Sequence, residues 1–141
     1  MIYLDSDVAI DWMHGAIKRE IILGKLGQED KLAITAPSLY EIYQGLYILQ
    51  WDKKRKKGGA LIERERTAIE KLRHSLIEVP WDGNAAQKSA EIYHMLAAKG
   101  EGLDVFDTMI AGTIIAHGEG TLITRNARHF DRIPDLHILS V

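Results

Sequence analysis

The sequence predicts an α/β fold: one domain over residues 1–141, three layers α/β/α, with a central, mostly parallel sheet of four to five strands. Three observations lead there. Short apolar runs of β type alternate along the chain with longer stretches whose apolar residues recur at helical spacing. Alternation of this kind implies parallel strands joined by crossover helices that cover both sheet faces. At 141 residues the chain suits a single core, and it shows no internal repeat, low-complexity tract or composition break that would mark a second domain.

The elements follow in order. Residues 1–4 form a short apolar run ended by Asp5, read as a buried strand. A helix begins by Val8, with Ser6 or Asp7 as its N-cap. Residues 32–36 make a second β-type run, stopped by Pro37. From Ser38 to about Trp51, Leu39, Ile42, Leu46 and Leu49 recur at helical spacing. The basic run 53–57 and Gly58-Gly59 break that pattern. Leu61, Ala68, Ile69, Leu72 and Leu76 mark the next helix, and residues 76–80 a third strand. Residues 85–98 are helical, ending at Gly100. An apolar helix carries Asp107, residues 121–124 form a fourth strand, and residues 137–141 a fifth.

Composition narrows the chemistry. Apolar residues are 46% and charged residues 27%, ordinary for a globular chain, and the formal charge of −2 offers no global positive field for nucleic acid. Phosphate must therefore be held locally, by basic groups or through a metal. The chain has no cysteine, which excludes disulfides, thiolate zinc sites and cysteine nucleophiles. Acids stand at residues 5 and 7, where a signal peptide would need apolar residues. No apolar run approaches the roughly 20 residues that span a bilayer. The expectation is a cytoplasmic protein without a membrane.

Asp107 is the hardest acid to explain structurally. It lies one helical turn after Asp104 at the mouth of an apolar helix, and no Lys or Arg in that stretch meets it. A carboxylate there is costly without a positive partner. In a parallel sheet, ligands bind beyond the carboxyl ends of the strands. Asp5 ends strand one, Glu41 opens the helix after strand two, and Asn126 follows strand four. The topology brings all of these to one rim. Clustered carboxylates repel unless a cation neutralises them, and hard oxygen ligands select Mg²⁺ or Mn²⁺.

Four motifs carry a resemblance. Asp5-Ser6-Asp7-Val8, Ser38-Leu39-Tyr40-Glu41-Ile42-Tyr43-Gln44-Gly45, Asp107-Thr108-Met109-Ile110-Ala111-Gly112, and Leu122-Ile123-Thr124-Arg125-Asn126-Ala127-Arg128-His129-Phe130 are similar, in order and spacing, to those of PIN-domain ribonucleases. The size resembles VapC-type toxins of toxin–antitoxin systems. The resemblance implies a divalent-metal-dependent endoribonuclease that leaves a 3′-hydroxyl and a 5′-phosphate. Asp5, Glu41 and Asp107 would be its principal acids and metal ligands, with Asp104 as a further ligand candidate. Ser6, Asp7, Thr124, Asn126, Arg125 and Arg128 would support them or touch substrate. The fourth acidic position is Asn126 here, which bears against a second metal. The implied partners are an RNA substrate, a cognate antitoxin and a second copy of the chain, with Tyr40, Tyr43, Tyr47 and Ile48 offered for protein contacts.

Several residues also carry plainer readings. Ser38-x-x-Glu41 is a capping box. Asp7 is an N-cap, Asp104 a helix-start residue favoured by the macrodipole, and Asn126 a cap for a short helix. The run 53–57 is a solvated loop or a phosphate contact. The six histidines lack ligand spacing and receive no metal or general-base role, and Trp12, Trp51 and Trp81 read as core or interface anchors. Two rivals remain from other classes. One is a haloacid-dehalogenase-type phosphatase with Asp5 as nucleophile, suggested by Asp5-Ser6-Asp7 and Asp104-Val105-Phe106-Asp107. The other is a non-catalytic PIN-like module that binds RNA or a partner.

Overall fold

Five strands form one parallel sheet in the computed structural model, which describes residues 1–52, 54, 58–118 and 120–141. The strands are β1 (Ile2–Leu4), β2 (Leu32–Thr35), β3 (Ile77–Val79), β4 (Thr121–Thr124) and β5 (His137–Ser140), in the order β3-β2-β1-β4-β5. All four pairings are parallel, with Tyr3 opposite Ala33 on one side and Leu122 on the other. Seven helices join them among the described residues: α1 (Ser6–Met13), α2 (Arg19–Leu23), α3 (Ala36–Trp51), α4 (Gly59–Ser75), α5 (Gly83–Ala98), α6 (Val105–Ala116) and α7 (Ala127–Phe130).

The two-residue period of the strands divides the core. Ile2, Leu4, Ile34 and Ile123 face one layer with Val8, Ile22, Leu46 and Ile69. Tyr3, Ala33 and Leu122 face the other with Ile92, Ile110, Ile114 and Phe130. Near-continuous apolar strands are what a sheet covered on both faces requires. The three-layer expectation therefore holds, with a fully parallel sheet of five strands.

Local chemistry sets the helix starts, and it differs from expectation in two places. Helix α3 begins at Ala36, not Ser38. Thr35 is its N-cap, accepting from the Ser38 amide at 3.2 Å, and Pro37 sits in the first turn, where its missing N–H costs nothing. The proposed Ser38–Glu41 capping box is thus replaced by a cap three residues earlier, which places Glu41 past the first turn. At α1 the N-cap is Asp5, accepting from the Ser6 amide at 2.9 Å, rather than Ser6 or Asp7. Asp104 caps α6, accepting from the Phe106 amide at 2.9 Å. Asn126 holds the N-cap position of α7 without a side-chain capping bond. Helix α2 was not anticipated. The basic run 53–57 lies outside the described residues except for exposed Lys54, whose amide donates to Asp52 Oδ1 at 2.9 Å.

Glycine decides one packing contact. A Cβ on Gly112 of α6 would lie 2.1 Å from Ser89 Oγ and 2.6 Å from the Ser89 amide nitrogen of α5. The two helices meet closely there because residue 112 has no side chain.

Candidate active site

Strand order reverses between β1 and β4: the chain moves outward from β1 to β2 and β3, then returns to the far side of β1. The crevice beyond the carboxyl ends of these two strands is the topological switch point, where open α/β sheets bind ligands. Asp5 follows β1 directly and Thr124 ends β4. The Asp5 amide donates to the Ile123 carbonyl at 3.0 Å, extending the ladder by one residue.

Asp5 is only 4% exposed, and its oxygens are engaged. Thr124 Oγ1 donates to Oδ2 at 2.6 Å, and the Ser6 amide donates to Oδ1 at 2.9 Å. Burial pushes its carboxyl above the ordinary range; the bonds from Thr124 and Ser6 counter this, while the Asp7 charge adds to it. Ser6 Oγ lies 3.4 Å from Asp5 Oδ1 and 2.7 Å from Glu41 Oε1. Its one proton favours Glu41, so a hydroxyl stands between the carboxylate that caps α1 and one on α3. Burial also raises the pKa of half-buried Glu41. The Ser6 bond lowers it, and the charges of Asp5, Asp107 and Asp7 raise it.

Asp107, in the first turn of α6, is half-buried and likewise raised, first by burial and then by Asp5 and Asp104. His129 of α7 opposes that rise, with Nδ1 3.2 Å from Asp107 Oδ2. Sequence spacing gave no sign of His129, because the contact joins residues 22 positions apart on two helices. The acid left unmatched within its own helix therefore has a partner, supplied by the fourth motif.

The remaining candidates divide. Asp7 is exposed, and Asn126 Nδ2 donates to its Oδ2 at 3.4 Å, while the Asn126 amide donates to Thr124 Oγ1 at 3.0 Å. These bonds tie the turn after β4 to the start of α1. Arg125 Nη2 lies 2.7 Å from Asp11 Oδ2, so this guanidinium braces the same turn against α1. Arg128 is exposed, and its carbonyl accepts from Arg132 Nη2 at 3.3 Å. Asp104 stands at the end of α6 as its cap and adds negative charge toward Asp107.

Among the described residues, no three His, Asp or Glu side chains form a ready metal cage. The donor set nevertheless suits a hard divalent cation. Burial raises the pKa of all three carboxylates, and neighbouring acids add to the rise (Asp7 at Asp5; Asp5, Asp107 and Asp7 at Glu41; Asp5 and Asp104 at Asp107), a state that positive charge relieves. Mg²⁺ in particular is usually held by one or two carboxylates together with water, not by a closed protein cage.

The family model for the PIN domain matches residues 2–136. This chain belongs to the PIN domain family. Three solved structures show how fully the PIN fold is shared. One is VapBC2 from Rickettsia felis bound to a DNA fragment from their promoter, with a chain at 24% identity and a TM-score of 0.82, covering 100% of this chain and 99% of that one. At that identity it attests the fold alone. DNA-bound VapBC from Salmonella typhimurium has a chain at 26% identity and a TM-score of 0.78, covering 99% and 96%. FitAcB from Neisseria gonorrhoeae gives 26% identity and a TM-score of 0.70, again covering 99% and 96%. Among curated proteins, none matches this PIN chain by sequence.

Proposed function

We propose that this PIN domain is a divalent-metal-dependent endoribonuclease that acts as the toxin of a VapBC-type pair. The observation that carries the reading is the gathering of carboxylates at the switch point: Asp5 after β1, Glu41 on α3 and Asp107 on α6 all have pKa values raised first by burial, and the Asp5 charge adds to the rise at both Glu41 and Asp107. Such a cluster disfavours the empty folded state, which a purely structural role would not require. Complexes named VapBC among the solved relatives support a protein antitoxin as partner. A homodimer is part of the same reading.

Asp5 and Asp107 would hold Mg²⁺ or Mn²⁺, with Glu41 as a direct or water-mediated ligand. Such an ion, when bound, offsets charge on the phosphoryl oxygens and makes water more acidic. The chain's own groups supply the positioning. Thr124 and the Ser6 amide fix both oxygens of Asp5, the Ser6 hydroxyl sets Glu41, and His129 sets Asp107. Glu41 is placed to orient an attacking water. Water adds to phosphorus, the P–O3′ bond breaks, and the products are a 3′-hydroxyl and a 5′-phosphate.

The phosphatase reading is weaker on geometry. That reading needs a hydrophobic strand before its late acidic motif, and the segment before Asp104 forms no strand. The purely binding module leaves three acids with raised pKa values without a purpose.

The test is RNA cleavage with Mg²⁺ or Mn²⁺ against an EDTA control. Asp5→Asn and Asp107→Asn, purified free of host nucleases, are expected to lose cleavage while keeping a folded circular-dichroism spectrum. Wild-type rates from either variant would sink the mechanism.

A further inference from the structure

Tyr40 and Phe106 lie on different helices, yet their rings stack with centroids 5.2 Å apart and planes inclined by 18°. Each ring immediately precedes a carboxylate of the site, Glu41 on α3 and Asp107 on α6. The pair therefore bridges α3 and α6, the two helices that carry these acids. It is not core: Tyr40 remains 54% exposed although Phe106 stacks against it. An exposed, nearly parallel aromatic pair is a surface on which a third flat ring can continue the stack. From Tyr40 an aromatic groove of about 560 Å³ runs on along α3 past Tyr43, Tyr47 and Trp51.

We propose that Tyr40, backed by Phe106, stacks a base of the nucleotide flanking the scissile phosphate. This rests on the RNA-hydrolase reading and deepens it. Tyr40 and Glu41 are neighbours on α3, so a phosphodiester seated at the acids brings its flanking bases within one nucleotide's reach of this exposed ring. Every base has a π-face, so the contact selects an unpaired, splayed nucleotide and not a particular base. Phe106 fixes the angle of Tyr40, which makes it a positioning residue, while Tyr40 touches substrate.

The test uses short single-stranded RNA and Mg²⁺, with KM and kcat measured for wild type, Tyr40→Ala and Tyr40→Phe. Loss of one stacked base corresponds to about a 5- to 150-fold weakening. Tyr40→Ala should raise KM by that order with kcat at saturation little changed, and Tyr40→Phe should restore the wild-type KM. Placing an abasic nucleotide at each position in turn should reproduce the rise for wild type at one flanking position, where Tyr40→Ala is insensitive. A wild type that cleaves RNA with KM unaltered by Tyr40→Ala overturns the stacking role and leaves the hydrolase reading standing. Unchanged KM together with altered self-association would assign the rings to protein contact and also overturn it. A wild type that neither cleaves nor binds the RNA would overturn both readings.

Discussion

Asp5 organises more of the site than its two fellow acids because it ends β1, caps α1 and accepts from both Ser6 and Thr124. Groups that orient a ligating carboxylate typically matter 10- to 100-fold. We expect Thr124→Val to lower kcat for RNA cleavage by about 10- to 100-fold, with the folded circular-dichroism spectrum retained. A full wild-type rate would mean that the orientation of Asp5 is immaterial. Asp5 and Asp107 stood out in the sequence because a carboxylate at the end of an apolar strand, or on an apolar helix, conflicts visibly with its surroundings, whereas Glu41 was singled out only by its motif's resemblance. His129 was not legible, since its contact with Asp107 depends on how α7 docks. The Ser38–Glu41 pattern misled for a local reason. Proline looked like a terminator, and Thr35, one turn earlier, turned out to be the cap.

At the scale of elements, α3 and α6 each carry an acid, so their seating matters more than their intrinsic propensity. Helix α6 is held to α5 at Gly112, where a methyl group would collide with backbone and hydroxyl atoms of Ser89. Gly112→Ala is expected to destabilise the fold by about 1–3 kcal/mol in denaturant unfolding, and to disturb Asp107 with it. Gly45 offers the contrast. It lies in the exposed interior of α3, and a Cβ added there would meet nothing within 4 Å. Gly45→Ala should therefore stabilise by about 1 kcal/mol. Equal effects at the two sites would refute the close-packing argument. Periodicity made α3, α4 and α5 readable, while α6 showed as a continuous apolar run. Helix α2 escaped because five residues scarcely exceed one turn of pattern.

At the scale of the whole molecule, the sheet's switch point gathers negative charge that the fold by itself does not neutralise. Asp5, Glu41 and Asp107 all have raised pKa values, so between the ordinary carboxylate range near 4 and those raised values the folded chain binds more protons than the unfolded one. Their joint contribution to stability is therefore full below that window and is lost as pH rises through it. The Arg73–Glu78 pair runs the other way, because Glu78 is lowered by its partner, so the total pH profile mixes both signs. A difference between variants isolates the site. Glu41→Gln keeps an acceptor for Ser6 Oγ but removes one charge. In EDTA its melting temperature should exceed that of wild type at pH 7, and the gap should close toward pH 4. Saturating Mg²⁺ should raise wild type more than the variant, because a ligand of the folded state stabilises in proportion to its affinity for it. A variant no more stable than wild type at pH 7 without metal would show that the acids are not in electrostatic conflict, removing the physical ground for a cation at the switch point.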